Sequence, residues 1–167
     1  MSDEAQSREQ SVGMEAPMDH CRLAPGLRQS CLDPGLVAAY CNTAFEVDDV
    51  MPFVLRIGQR SDRLKAMMGD AQASHALFIT AWNPHGLALH GVVNASRAEV
   101  LRASVEDLGL PCMLGRGIGE GGLWPPEPSL LVLGAGEALS VMLGNRFEQN
   151  AVVVCGASCV PKILLLR

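Results

Sequence analysis

The segment Phe78-Ile79-Thr80-Ala81-Trp82-Asn83-Pro84 constrains the fold of this chain more than any other. It reads as a buried β-strand that runs out into a polar stop, and a loop leaving the end of such a strand is where α/β domains usually place ligands. Runs of the same character recur at Phe53–Ile57, Ser129–Leu133 and Ala151–Cys155. Between them lie stretches with helical period. Leu64, Met67 and Met68 repeat at i, i+3, i+4 before Gly69, and Leu139, Met142, Leu143 and Phe147 make a second stripe. Ser96-Arg97-Ala98-Glu99 has the capping-box pattern of a helix start, followed by apolar Val100, Leu101, Val105 and Leu108 and closed by Gly109. An earlier helix opens at Asp33-Pro34, puts Leu36, Ala39, Tyr40 and Thr43 on one face, and ends near Asn42.

Strands alternating with helices predict an α/β fold: a single domain with a mixed, mostly parallel sheet and packed helices. Phe53–Ile57, the Leu64 helix and His75–Trp82 read as a first β-α-β unit, and Pro111–Leu114 as a third strand. Gly115–Pro128, with five glycines and three prolines, reads as loop. Ala151–Cys155 and Lys162–Leu166, joined through Gly156-Ala157-Ser158-Cys159, read as a C-terminal β-hairpin. Residues 1–32 mix Ser, Gln, Glu, Gly and Pro without a sustained period and are expected to be a disordered acidic tail. The domain then spans 33–167, and a chain of 167 residues is long enough to bury a real core without disulfide staples.

Composition narrows the functional classes. The net charge of −5 divides into −3 through Asp33 and −2 beyond it, and the aromatics number one Tyr, two Trp and four Phe. Neither a basic footprint nor a stacking platform for nucleic acid is present. No apolar run approaches the roughly 18 residues needed to span a bilayer. The opening Met-Ser-Asp-Glu-Ala-Gln lacks the basic start and apolar stretch of a signal peptide, so Cys21, Cys31, Cys41, Cys112, Cys155 and Cys159 are expected as reduced thiols in a cytoplasm.

The motifs that suggest chemistry each have a plainer explanation. Gly117-Ile118-Gly119-Glu120-Gly121-Gly122 satisfies the dinucleotide pattern, but Leu-Trp-Pro-Pro follows and no phosphate-binding helix can open there. Pro125-Pro126-Glu127-Pro128 fits a polyproline ligand and equally a stiff connector into the next strand. His75, His85 and His90 with the cysteines lack metal-ligand spacing, and no metal or cofactor is expected. Polar residues at predicted element ends remain: Thr80, Asn83, Asn94, Glu127, Ser129, Gln149 and Asn150. Turns and caps account for most of them one by one, whereas parallel strands would bring several to one sheet edge.

Five ordered blocks go beyond periodicity: Leu55-Arg56-Ile57-Gly58-Gln59, Phe78 to Pro84, Asn94, Gly117 with Trp124 and Glu127-Pro128-Ser129, and Phe147-Glu148-Gln149-Asn150-Ala151. In this order they resemble the bacterial domain-of-unknown-function family 3293, over roughly Leu32 to the carboxyl end. The resemblance implies a small bacterial, cytoplasmic domain and supplies no activity and no catalytic residue. The expected function is therefore small-molecule binding or regulation at a site between the Asn83 loop and the Gly-rich loop. Arg56, Thr80, Asn83, Asn94, Glu127, Gln149 and Asn150 are its candidate residues, and Glu127 is the candidate acid, base or cation-binding group. Two alternatives stand beside it: an interaction module that offers Lys162–Leu166 as a sheet edge, and an enzyme using Glu127.

Overall fold

A computed structural model describes residues 18–122 and 124–167. One sheet of eight strands organises them, in the order β1-β8-β7-β4-β6-β5-β2-β3. The strands are β1 (Cys21–Leu23), β2 (Ala44–Val47), β3 (Phe53–Leu55), β4 (Ala76–Thr80), β5 (Cys112–Ile118), β6 (Glu127–Leu133), β7 (Ala151–Cys155) and β8 (Lys162–Leu165). The helices are α1 (Pro34–Asn42), α2 (Asp62–Asp70), α3 (Gly91–Asp107) and α4 (Glu137–Arg146).

The sheet is mixed but mostly antiparallel, which corrects the expected mostly parallel arrangement. Only β1 and β8 pair in parallel; the other neighbours are antiparallel. The reason lies in which strand fills each gap. The link through α3 does join strands of like direction, β4 and β5, but β6 inserts between them and runs antiparallel to both. The link through α4 joins β6 and β7 in the same way, with β4 between them. Local alternation of strand and helix therefore survives while no crossover joins adjacent parallel strands.

Strand alternation sorts the core onto two faces. Phe78, Leu131, Leu133, Val153, Cys155, Ile163 and Leu165 pack with Val37 and Cys41 of α1 and Leu64 and Met68 of α2. Leu77, Ile79, Leu130, Val132, Val152, Val154 and Leu164 pack on the other face with Leu101 and Val105 of α3 and Leu143 and Phe147 beside α4. Helices on both faces explain the near-continuous apolar strands, a pattern shared with parallel sheets.

Several boundaries differ from expectation. β5 and β6 both extend into Gly115–Pro128, because Gly115 is a strand glycine: a Cβ there would sit 2.4 Å from the Glu46 carbonyl oxygen and 3.0 Å from the Phe78 ring. α3 starts at Gly91, capped by His90 rather than at the Ser96 capping box. The C-terminal hairpin forms, β7 pairing antiparallel with β8. Lys162–Leu165 is not an edge, however, since β1 covers its other side through Cys21↔Ile163, Arg22↔Leu164 and Leu23↔Leu165. That pairing also draws residues expected in the tail into the fold, while the expectation for residues 1–17 falls outside the described residues. Among the described residues no helix is long and apolar enough to cross a membrane.

Candidate functional site

The ends of five strands meet at one border of the sheet. Register puts Thr80 opposite Ser129, Gly117 opposite Glu127, and Phe45 opposite Gly117. Phe78 and Thr80 share one face of β4, as Glu127, Ser129 and Leu131 share one face of β6, and both series point toward α1. Here the sheet and α1 leave a cavity of about 310 Å³ between them. Leu36, Tyr40 and Thr43 close it from the α1 side, Asn83, Gly86 and Ala88 from the loop after β4, and Trp124 and Pro125 from the segment before β6. Phe45 and Phe78 meet edge to face in its wall, with ring centroids 5.3 Å apart.

Asn83 shapes the loop side. Its backbone is left-handed at φ 47°, a conformation that Asn tolerates better than most residues, and His85 follows at φ 55°. Hydrogen bonds hold it there. The Asn83 backbone N–H donates to Asn94 Oδ1 at 3.0 Å, and its Oδ1 accepts from Asn94 Nδ2 at 2.8 Å and from the Leu89 N–H at 3.1 Å. Its Nδ2 donates to Glu127 Oε1 at 2.7 Å. Asn94 is thus a fully buried support inside α3 that reaches the cavity only through Asn83.

Glu127 is the one ionisable carboxylate among the described lining residues, which include no Lys, Arg or His. Burial raises its pKa above the ordinary carboxylate value, and the Asn83 hydrogen bond partly opposes that rise. Tyr40 also titrates above its usual value. Burial is the main cause, the hydrogen bond with Asn150 acts against it, the nearby Glu127 charge adds to it, and Arg167 opposes it.

The amides on the β7 side complete the wall. Gln149 Nε2 donates to the carbonyls of Trp82 and Phe147, both at 3.1 Å. Asn150 Nδ2 donates to Tyr40 Oη at 3.1 Å. Asn150 Oδ1 is buried and has no hydrogen-bond partner among the described residues. Beneath them Arg97 binds the elements together: its guanidinium donates to the carbonyls of Ala81 and Phe147, both at 2.8 Å, and pairs with Glu148 at 3.2 Å.

Of the residues expected at the site, Thr80, Asn83, Glu127, Gln149 and Asn150 line the cavity and Asn94 stands behind it. Arg56 is exposed at the end of β3 and donates to the Asn42 carbonyl at 3.4 Å, outside the cavity lining. β3 lies at the edge of the sheet, which keeps Arg56 away from the cavity. Tyr40, Leu36 and Trp124 were not among the expected site residues. Tyr40 is the only tyrosine in the chain, and its helical spacing with Leu36 read as core packing. The Gly-rich segment serves shape: a Cβ on Gly119 would lie 2.7 Å from the Trp124 indole. Among the described residues no group of three or more His, Cys, Asp or Glu is placed to hold a metal ion.

Residues 79–152 match the profile of a family described as protein of unknown function (DUF3293), and over this segment the chain is similar to that family. The match begins within β4 and ends within β7, a narrower span than the resemblance read from Leu32 onward. It contains Thr80, Asn83, Asn94, Glu127, Gln149 and Asn150, whereas Tyr40 lies outside it. No curated protein and no solved structure matches the chain.

Proposed function

We propose that this domain binds a small molecule in the cavity bounded by α1, the Asn83 loop and the Trp124 segment. The observation that carries the reading is the unpartnered Oδ1 of Asn150, a residue that lines a mostly apolar cavity together with Glu127. Leaving a buried acceptor unpaired costs about 1–3 kcal/mol, and a bound molecule that donates to it recovers that cost. A volume of about 310 Å³ stands at the lower end of the range for small-molecule sites, about 300–1,000 Å³. Binding is favoured over catalysis because Glu127 has no second acid or base beside it other than Tyr40, whose raised pKa keeps its hydroxyl protonated at neutral pH. The interaction-module alternative loses its edge strand to β1.

Gly117 provides the test. It lines the cavity, and a Cβ there meets only Thr43 Cγ2 at 3.8 Å, so Gly117→Val fills the space without a backbone clash. Saturation-transfer NMR with benzylamine, benzyl alcohol and benzoate is expected to detect at least one of them on the wild-type protein and to lose that signal on Gly117→Val, with an unchanged circular dichroism spectrum. Signals of equal strength on both proteins, or none from any probe on the wild type, refute the reading.

A further inference from the structure

We propose that the molecule is a protonated amine on an apolar body, its nitrogen held between Glu127 and Asn150 Oδ1. This deepens the binding reading and rests on it. The buried side-chain atom left without a partner in the wall, Asn150 Oδ1, is an acceptor. Both polar hydrogens of Gln149 Nε2 go to main-chain carbonyls, and Asn83 Nδ2 donates to Glu127. The Thr80 hydroxyl donates to the Pro128 carbonyl and the Ser129 hydroxyl to the Glu127 carbonyl. Against these, Asn150 Oδ1 receives nothing, and Glu127 receives one side-chain hydrogen bond, on Oε1. A ligand that brings N–H groups satisfies both.

Charge selects among such ligands. Glu127 meets no cation among the described lining residues, and Arg167, whose charge reaches Tyr40, is exposed and outside the lining. A ligand carboxylate or phosphate would place like charges together in a poorly hydrated space, whereas an ammonium supplies the missing counter-charge. The aromatic residues of the wall, Tyr40, Phe45, Phe78 and Trp124, suit the apolar body. At about 30 Å³ for each water displaced, about 310 Å³ holds a ligand of roughly ten non-hydrogen atoms.

Titrating the full chain with benzylamine, benzyl alcohol and benzoate at neutral pH, followed by NMR, tests the ligand class. Benzylamine is expected to bind at least about tenfold more tightly than benzyl alcohol, a margin of about 1.4 kcal/mol. Glu127→Gln should erase the margin. Equal binding of amine and alcohol to the wild type overturns the amine inference and leaves the binding reading standing. Tighter binding of benzoate also overturns it, because the wall would then be offering donors to an anion. A margin that persists in Glu127→Gln overturns it as well, and silence from all three probes refutes both readings. A readout on the wild type covers a variant that fails to fold: benzylamine affinity should fall as acid protonates Glu127, with benzyl alcohol unaffected. Tyr40, whose pKa is raised, stays neutral through that range and does not supply the change.

Discussion

Replacing Asn150 with leucine should make the unliganded protein more stable and remove its amine affinity. Asn150 is 5% exposed, and of its two polar atoms only Nδ2 is bonded. The substitution forfeits the hydrogen bond to Tyr40, a net loss of about 0.5–1.5 kcal/mol. It also removes a buried acceptor without a partner, whose desolvation costs about 1–3 kcal/mol. Tyr40 is half-buried, and leucine adds apolar surface to an apolar wall. The balance is a stabilisation of about 1 kcal/mol, or about 2–4 °C in Tm for a domain of this size. Urea denaturation of wild type and Asn150→Leu at matched pH measures it, with benzylamine titration alongside. A loss of more than about 1 kcal/mol would mean that Oδ1 has a steady partner in the unliganded protein, such as an ordered water, and the argument that it waits for a ligand would collapse.

Other substitutions probe the frame around the cavity. The folded-state pKa of Glu127 is raised, so the folded protein holds this proton more firmly than the unfolded chain; the resulting stability is full below the unfolded value and lost as pH rises through the folded one. Chemical denaturation of Glu127→Gln, compared with wild type from pH 4 to 8, should show the variant gaining relative stability with rising pH; a pH-independent difference contradicts this. Arg97→Ala breaks bonds to the Ala81 and Phe147 carbonyls and should cost about 2–3 kcal/mol by thermal or urea unfolding. Arg97→Lys should recover less than half of that, because an ammonium cannot reproduce the fork; full recovery would refute the geometry. Cys31 is exposed, whereas burial pushes the Cys155 thiol up to about 12, and burial with the Cys41 contact does the same for Cys21. Mass-resolved iodoacetamide labelling of the folded protein at neutral pH should modify Cys31 first, and equally fast labelling of Cys155 would contradict the burial.

The polar strand ends were legible because the strands themselves were: Thr80 and Asn83 end an apolar run, and Gln149 and Asn150 begin one. Bringing them together needs only that these strands share a sheet border, which holds for parallel and antiparallel neighbours alike. Strand direction was not legible, because helices on both faces make an antiparallel strand such as Leu130–Leu133 as apolar as a parallel one. Gly115 misled for a related reason. Composition marks it as loop, but the close approach of the Glu46 carbonyl is a tertiary fact. The start of α3 at His90 was hidden because histidine is an uncommon cap and the Ser96 pattern offered a commoner one. Tyr40 escaped notice because a helical stripe records which face is covered, not whether a sheet or a cavity lies beyond it.

The insertion of β6 between β4 and β5 also orders the chain's assembly in time. β4 pairs with β6 and β7, which follow it by some fifty to eighty positions, as Thr80↔Ser129 and Ala76↔Cys155 show. A nascent chain that has emerged only as far as α3 therefore carries a very apolar strand with both of its hydrogen-bonding flanks bare, the condition that invites intermolecular pairing. Distant pairings of this kind slow folding, so the growing polypeptide stays vulnerable until its last third leaves the ribosome.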